Sequence, residues 1–212
     1  KVKKFLKPIS NEVTFIVSGA STVSAASLAI LQILHQAKKK ISILYIEPDV
    51  EFLSDIKIKN ERVVRNVLQQ YTRSGLFSKM CLVSTNLVES LCENLTISNF
   101  YSEINSRIAY CYHMIELYKR TKPISNTISK RRDISRIYSI GNLDIDKKQN
   151  FLFYDLKYSK EIVYYFAINS QKLEEEKSLF RKITSSIKES AAGARSMFGI
   201  YSTNYENDYV FV

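Results

Sequence analysis

A chain of 212 residues with 45% hydrophobic residues can bury one large core or two small ones, which excludes global disorder. Glycine (5) and proline (3) are too scarce for a collagen-like chain, a propeller or a long flexible linker. The net charge of +10 admits a nucleic-acid or membrane-surface partner, but the cations are dispersed and read more simply as solvated lysines, so nucleic acid is not favoured.

Cys81, Cys92 and Cys111 are odd in number and lack metal-ligand spacing. They read as free thiols in a reducing, cytoplasmic setting. With His35 and His113 the only histidines, a multi-histidine metal site is excluded. No apolar run reaches the ~20 residues of a membrane span. No signal peptide is visible, and the basic start at Lys1 reads as that of a fragment.

Val13–Ser18 is a short β-rich apolar run, a buried strand. The turn Ser18-Gly19-Ala20-Ser21-Thr22 leads into a helix over 23–37, and Lys38-Lys39-Lys40 sit where its dipole favours cations. Ile41–Ile46 is a second strand, which makes a βαβ unit. A break at Glu47-Pro48-Asp49 precedes an amphipathic helix over 58–72, carrying Val63, Val64, Val67, Leu68 and Tyr71 and stopped by Ser74-Gly75. Lys79–Ser84 is a third strand, with a short helix at 86–91.

The longest helix is expected over 98–119, capped by Ser98 and stopped by Pro123, with Ile104, Ile108, Cys111, Tyr112, Ile115 and Tyr118 apolar. His113 on this helix reads as a packed histidine. Beyond Pro123 the chain turns polar and basic. Residues 134–140 read as either helix or strand, and Asn142-Leu-Asp144-Ile-Asp146 as a surface turn lacking the glycine of a calcium loop. Strands are expected at 151–156 and 162–168, with a helix over 173–189 presenting Leu173, Phe180, Ile183 and Ile187. Strands at 197–202 and 208–212 follow, and the tail from Tyr201 reads as a hairpin or paired strands. The fold class is α/β: a parallel-sheet domain over 1–122 that ends in the long helix, then a smaller α+β domain over 123–212.

This order resembles the tubulin/FtsZ family from Val13 to Val212, the later two-thirds of that fold. The family's first glycine-rich loop has no counterpart here, so the resemblance implies a truncated product or a divergent member. It assigns a phosphate-binding role to Ser18, Gly19, Ala20, Ser21 and Thr22, since such loops offer backbone N–H groups and a helix N-terminus to phosphate. An ordinary βα turn capped by Ser21 or Thr22 explains the same residues equally well. The resemblance also assigns base recognition to Tyr101 and Asn105, which share a helix face at i, i+4 spacing. The loop after the long helix carries an Asn followed by two acids in the family, where the acids polarise water. Here Asn126 keeps its place, while Ile128 and basic residues near Lys130 and Arg131 stand where the acids belong, and Asp133 could substitute only in a shifted alignment.

The resemblance therefore implies GTP or GDP with Mg²⁺ as cofactor, no catalytic acid, and weak or absent hydrolysis. It implies a homo-oligomer or filament in which Asn126, Lys130, Arg131 and Arg132 form an assembly loop. Two alternatives stand beside it. One is a monomeric α/β binding or accessory protein, viral or otherwise, with no nucleotide role. The other is a true GTPase completed by residues upstream of Lys1.

Overall fold

The computed structural model describes residues 9–21, 24–129, 132 and 134–212, with Ala25 described for its backbone alone. Thr22, Lys130, Arg131 and Asp133 lie outside the described residues. In chain order the elements open with β1 (Glu12–Ser18), α1 (Ser24–Gln36), β2 (Lys40–Glu47), a 3₁₀ turn (Val50–Phe52), α2 (Asp55–Arg73), β3 (Lys79–Ser84) and α3 (Thr85–Glu89). They continue with α4 (Phe100–Tyr118), β4 (Ser125–Asn126), β5 (Ile137–Ser139), β6 (Gly141–Asp144) and β7 (Gln149–Leu152). The last are β8 (Glu161–Asn169), α5 (Ser170–Glu175), α6 (Leu179–Ser190), β9 (Arg195–Thr203) and β10 (Tyr209–Phe211). The chain forms two compact units: Lys1–Ser90 with Arg136–Ser139, and Leu91–Ser135 with Ile140–Val212. Pro123 falls within the second unit.

The first unit is a parallel sheet in the order β1-β2-β3-β5. β2 and β3 are apolar and buried on both faces, as interior parallel strands must be. β1 instead alternates, burying Val17 while Ile16 is exposed. α1 packs on β1 and β2, and α2 on β3 and β5. α1 ends on Lys38, whose positive φ (56°) lets the Lys39 N–H donate to the Leu34 carbonyl.

α2 spans the expected region, yet its buried line is Glu61, Leu68 and Thr72. Val63 and Tyr71, placed on the apolar face by sequence, are exposed. The reason is local: Glu61 has partners inside and takes the inward position, which turns Val63, two residues on, to the opposite flank.

The second unit is a sheet in the order β4-β9-β8-β10-β6-β7. β8 is its middle strand and is buried along both faces. Tyr164, Phe166 and Ile168 point to one face, where Leu179, Ile183 and Ile187 of α6 cover them. On the other, Tyr201 meets Tyr165 and Tyr118 of α4, with Tyr118 and Tyr201 ring centroids 4.5 Å apart. β8 pairs in parallel with β9 and antiparallel with β10. The tail is therefore no hairpin. Its two strands lie on opposite edges of β8, because a strand apolar on both faces needs a ladder on each side.

Four further expectations are corrected. The helix expected over 173–189 is two, because Asn169 caps Gln171 N–H at 2.9 Å and Glu176 leaves helical geometry. Phe180 is exposed, and Leu179 fills the core position beside it. On α4 the cap is Asn99 rather than Ser98, and His113 is exposed rather than packed. Asn99 turns backwards instead: its Oδ1 accepts from Thr96 N at 2.7 Å and its Nδ2 donates to Asn94 O at 3.1 Å. Residues 142–146, expected as a surface turn, belong to β6 as far as Asp144, with Leu143 buried; the turn lies at 145–148, where the Asp144 carboxylate accepts from Asp146 N and Lys147 N.

Ile183 is fully buried against β8. Ile183→Ala is expected to cost about 2–5 kcal/mol, seen as a lower urea midpoint, whereas Phe180→Ala on the exposed flank should change the midpoint far less.

Candidate functional site

In open α/β sheets, ligands bind beyond the carboxyl ends of parallel strands. Three connections meet there in the first unit: the turn 18–21 after β1, Glu47–Asp49 after β2, and Ser84–Asn86 after β3. Gly19 N–H donates to the Ile46 carbonyl at 2.9 Å, which pins the turn to the end of β2. A Cβ at Gly19 would lie 2.3 Å from Tyr45 Oη and 3.0 Å from both Glu61 Cγ and Pro48 Cδ. Glycine is needed here for space. Ala20 follows with φ at 60°. Ser21 then leads into α1, its Oγ accepting from Ser24 N at 3.1 Å while Ser24 Oγ donates to Ser21 O at 2.6 Å.

Beneath the turn lies a buried ionic network. Tyr45 Oη donates to Glu61 Oε1 at 2.8 Å, and Arg65 Nε sits 2.8 Å from the same oxygen. Arg65 Nη1 is 3.4 Å from Glu47 Oε1. Glu61 is 1% exposed, so the Tyr45 hydrogen bond and the Arg65 charge replace its hydration. Burial, then the Glu61 carboxylate, pushes the Tyr45 phenol well above its ordinary value and keeps it a donor. Burial also raises the Glu47 carboxyl, a shift that Arg65 opposes. At the rim, Thr85 Oγ1 donates to Glu47 O at 2.9 Å, and Asp49 accepts from Glu51 N at 2.9 Å.

The helix N-terminus, the Ser18 and Ser21 hydroxyls and the Ala20 amide lie at the strand ends and suit a phosphate. The Gly19 and Ser24 amides are already committed within the turn. Glu47 and Asp49 line the neighbouring loop.

The remaining candidates lie in the second unit. Tyr101 and Asn105 stand one turn apart on α4, both exposed, with Tyr101 against Phe100 at 5.2 Å between ring centroids. Asn126 lies in β4, paired with Gly199, and is exposed. Arg132 is bound to Glu161, Nε to Oε1 at 3.3 Å.

Sequence reasoning missed Glu161 and Arg195. Arg195 Nη1 donates to Glu161 Oε1 at 2.9 Å, and its Nη2 donates to Ser129 Oγ at 2.7 Å. Thr127 N–H donates to Phe198 O at 2.8 Å and Phe198 N–H to Thr127 Oγ1 at 3.0 Å. The loop is thus stapled along β9 with a buried carboxylate at its far end. Burial pushes the Glu161 carboxyl up, but hydrogen bonds from Ser135, the Arg132 backbone and Arg195 outweigh it and hold it below its ordinary 4.5. The one signal in the sequence is a lone acid opening an otherwise apolar strand, in register with an arginine opening the next.

No family model matches this sequence, and no curated protein does. Solved structures do. CetZ from Methanosaeta thermophila strain DSM 6194 superposes with a TM-score of 0.65 at 15% identity, covering 95% of this chain and 59% of that one. The chain has a tubulin/FtsZ-like fold. An empty FtsZ dimer from M. jannaschii matches with a TM-score of 0.63 at 13% identity, over 99% of this chain and 64% of that one. A GDP-bound CetZ1 monomer from Haloferax volcanii gives 0.62 at 11% identity, over 95% and 63%. At such identities the likeness is one of fold. The chain spans less than two thirds of each of these tubulin/FtsZ-like structures.

Two expectations follow from the geometry. Gly19→Ala forces a Cβ onto Tyr45 Oη and should cost about 1–3 kcal/mol in chemical denaturation. Adding Tyr45→Phe should recover part of the loss, a non-additivity that a double-mutant cycle reads directly. The Glu161 interaction is fully present above pH 4.5 and is lost as pH falls through the lower folded value, because the unfolded chain takes up the proton first. Glu161→Gln should flatten the acid limb of stability against pH in that window, measured by urea midpoints.

Proposed function

We propose that this chain is a divergent tubulin/FtsZ-like protein that binds GTP or GDP with Mg²⁺ and self-associates head to tail, with hydrolysis weak or absent. The observation that carries the reading is the turn 18–21, set between the end of a parallel strand and the start of α1, within a fold shared by a GDP-bound CetZ1. In this reading Ser18, Gly19, Ala20, Ser21 and Thr22 hold phosphate, and Mg²⁺ neutralises it beside Glu47 and Asp49. Tyr101 and Asn105 contact the base. The bound cation supplies charge neutralisation, and the chain's own residues orient the nucleotide.

Self-association is supported by a structural neighbour that is itself a dimer, the FtsZ of M. jannaschii. The loop 126–132 offers Asn126, Lys130, Arg131 and Arg132 in place of the acids that polarise water. A cationic loop of this kind neutralises phosphates and has no base with which to activate water.

A second reading has its own support. The Gly19 and Ser24 amides are spent within the turn, and carboxylates border it. An α/β binding protein without a nucleotide role would have such a turn. A third, a GTPase completed by further chain, draws on the partial coverage of the structural neighbours.

Nucleotide binding, pelleting and phosphate release are best measured on one sample with GTP and Mg²⁺. Binding and pelleting without phosphate release are expected. Replacing Lys130, Arg131 and Arg132 together by Glu should abolish pelleting, and unchanged sedimentation would remove the loop from the interface. Phosphate release at an ordinary GTPase rate would favour the third reading. A monomer indifferent to nucleotide would favour the second.

A further inference from the structure

The solvent flank of α2 is unlike that of a helix whose outside is merely solvated. Ile56 and Val63, seven residues apart on the side opposite Glu61 and Leu68, are 72% and 61% exposed. Phe52, one turn upstream in the 3₁₀ segment, is 81% exposed, and Val50 and Tyr71 are exposed as well. Singly exposed apolar residues are ordinary, but a row of them along one element marks a contact surface.

Cations outnumber acids around this row. Lys57, Lys59, Arg62 and Arg73 are exposed on α2, and none of them makes an ion pair among the described residues. The acids of the segment are Glu51 and Asp55 at its start and Glu61, which is turned inward. Beyond the acids at its start, the flank is therefore both apolar and cationic along the rest of a helix about 28 Å long.

We infer that this flank of α2 docks on an anionic lipid surface. Phe52, Ile56 and Val63 enter the boundary between headgroups and acyl chains, while the lysine and arginine stems lie along it with their charges among the lipid phosphates. Charge complementarity selects the occupant. Four cations, unpaired among the described residues, are spread along the exposed side of one helix. A fluid anionic leaflet satisfies them at any spacing, whereas an acidic protein would need matching positions. The net charge of +10 adds long-range attraction to the same surface. This contact is peripheral, since among the described residues no helix is long and apolar enough to cross a membrane.

The test is vesicle flotation with the full chain. One set of vesicles is phosphatidylcholine alone, and in the other about a third of the lipid is phosphatidylserine. Binding to the anionic set only, weakened by salt, is expected. Phe52→Ser with Ile56→Ser, and separately Lys57→Glu with Lys59→Glu, should each reduce bound protein roughly tenfold or more. Circular dichroism should show both variants folded, since all four side chains are exposed. Equal binding to both vesicle sets, or no binding to either, overturns the proposal. So does retention of vesicle binding by the Phe52/Ile56 variant together with capture by polyglutamate, which would mean charge alone and an acidic polymer as the natural partner.

Discussion

Burying the Glu61 carboxylate obliges its surroundings to replace the water it gives up. Tyr45 and Arg65 do so from two different elements, and Arg65 reaches on to Glu47 at the end of β2. An uncompensated buried charge costs several kcal/mol, so these partners are not optional once Glu61 faces inward. The orientation of α2 follows from that, and with it the exposure of Val63 and Ile56. The turn after β1 follows too, since Tyr45 Oη and Glu61 Cγ leave no room for a side chain at position 19. One buried acid thus sets the floor of the candidate site and the outer face of the helix beside it.

The loop after α4 shows a parallel arrangement in the second unit. Glu161 is buried at the mouth of β8, and the arginines paired with its Oε1 come from the loop itself and from β9. A cationic loop would ordinarily repel itself and wander. Here the backbone ladder to β9 holds residues 124–127, and the carboxylate holds Arg132.

Much of this was legible in the sequence. The strands at 13–18, 41–46, 79–84 and 162–168 were visible as short β-rich apolar runs, and the element order sufficed to recognise the fold. What escaped was set by long-range partners. The inward turn of Glu61 depends on a tyrosine sixteen residues away on another element. The role of Glu161 depends on Arg195, adjacent only once β8 and β9 run parallel. Periodicity also misjudged the tail, because alternation tells which face a residue takes and says nothing about which strand it pairs with. The same limit put Phe180 in the core, when Leu179 one step earlier occupies it.

The position of β10 has a consequence for how the second unit comes into being. It lies between β8 and β6 in the sheet, although both precede it in the chain. Until residues 209–211 have left the ribosome, the sheet exists as two pieces: β4-β9-β8 on one side and the β6–β7 hairpin on the other. Each piece presents a bare row of peptide groups to the crowded surroundings. The segment that closes them is three residues long, held on one side to Phe166 and on the other to Asn142. The second unit therefore completes its sheet late and all at once. A chain stopped a few residues short would carry two open seams, and quality control in the cell acts on exposed seams of that kind.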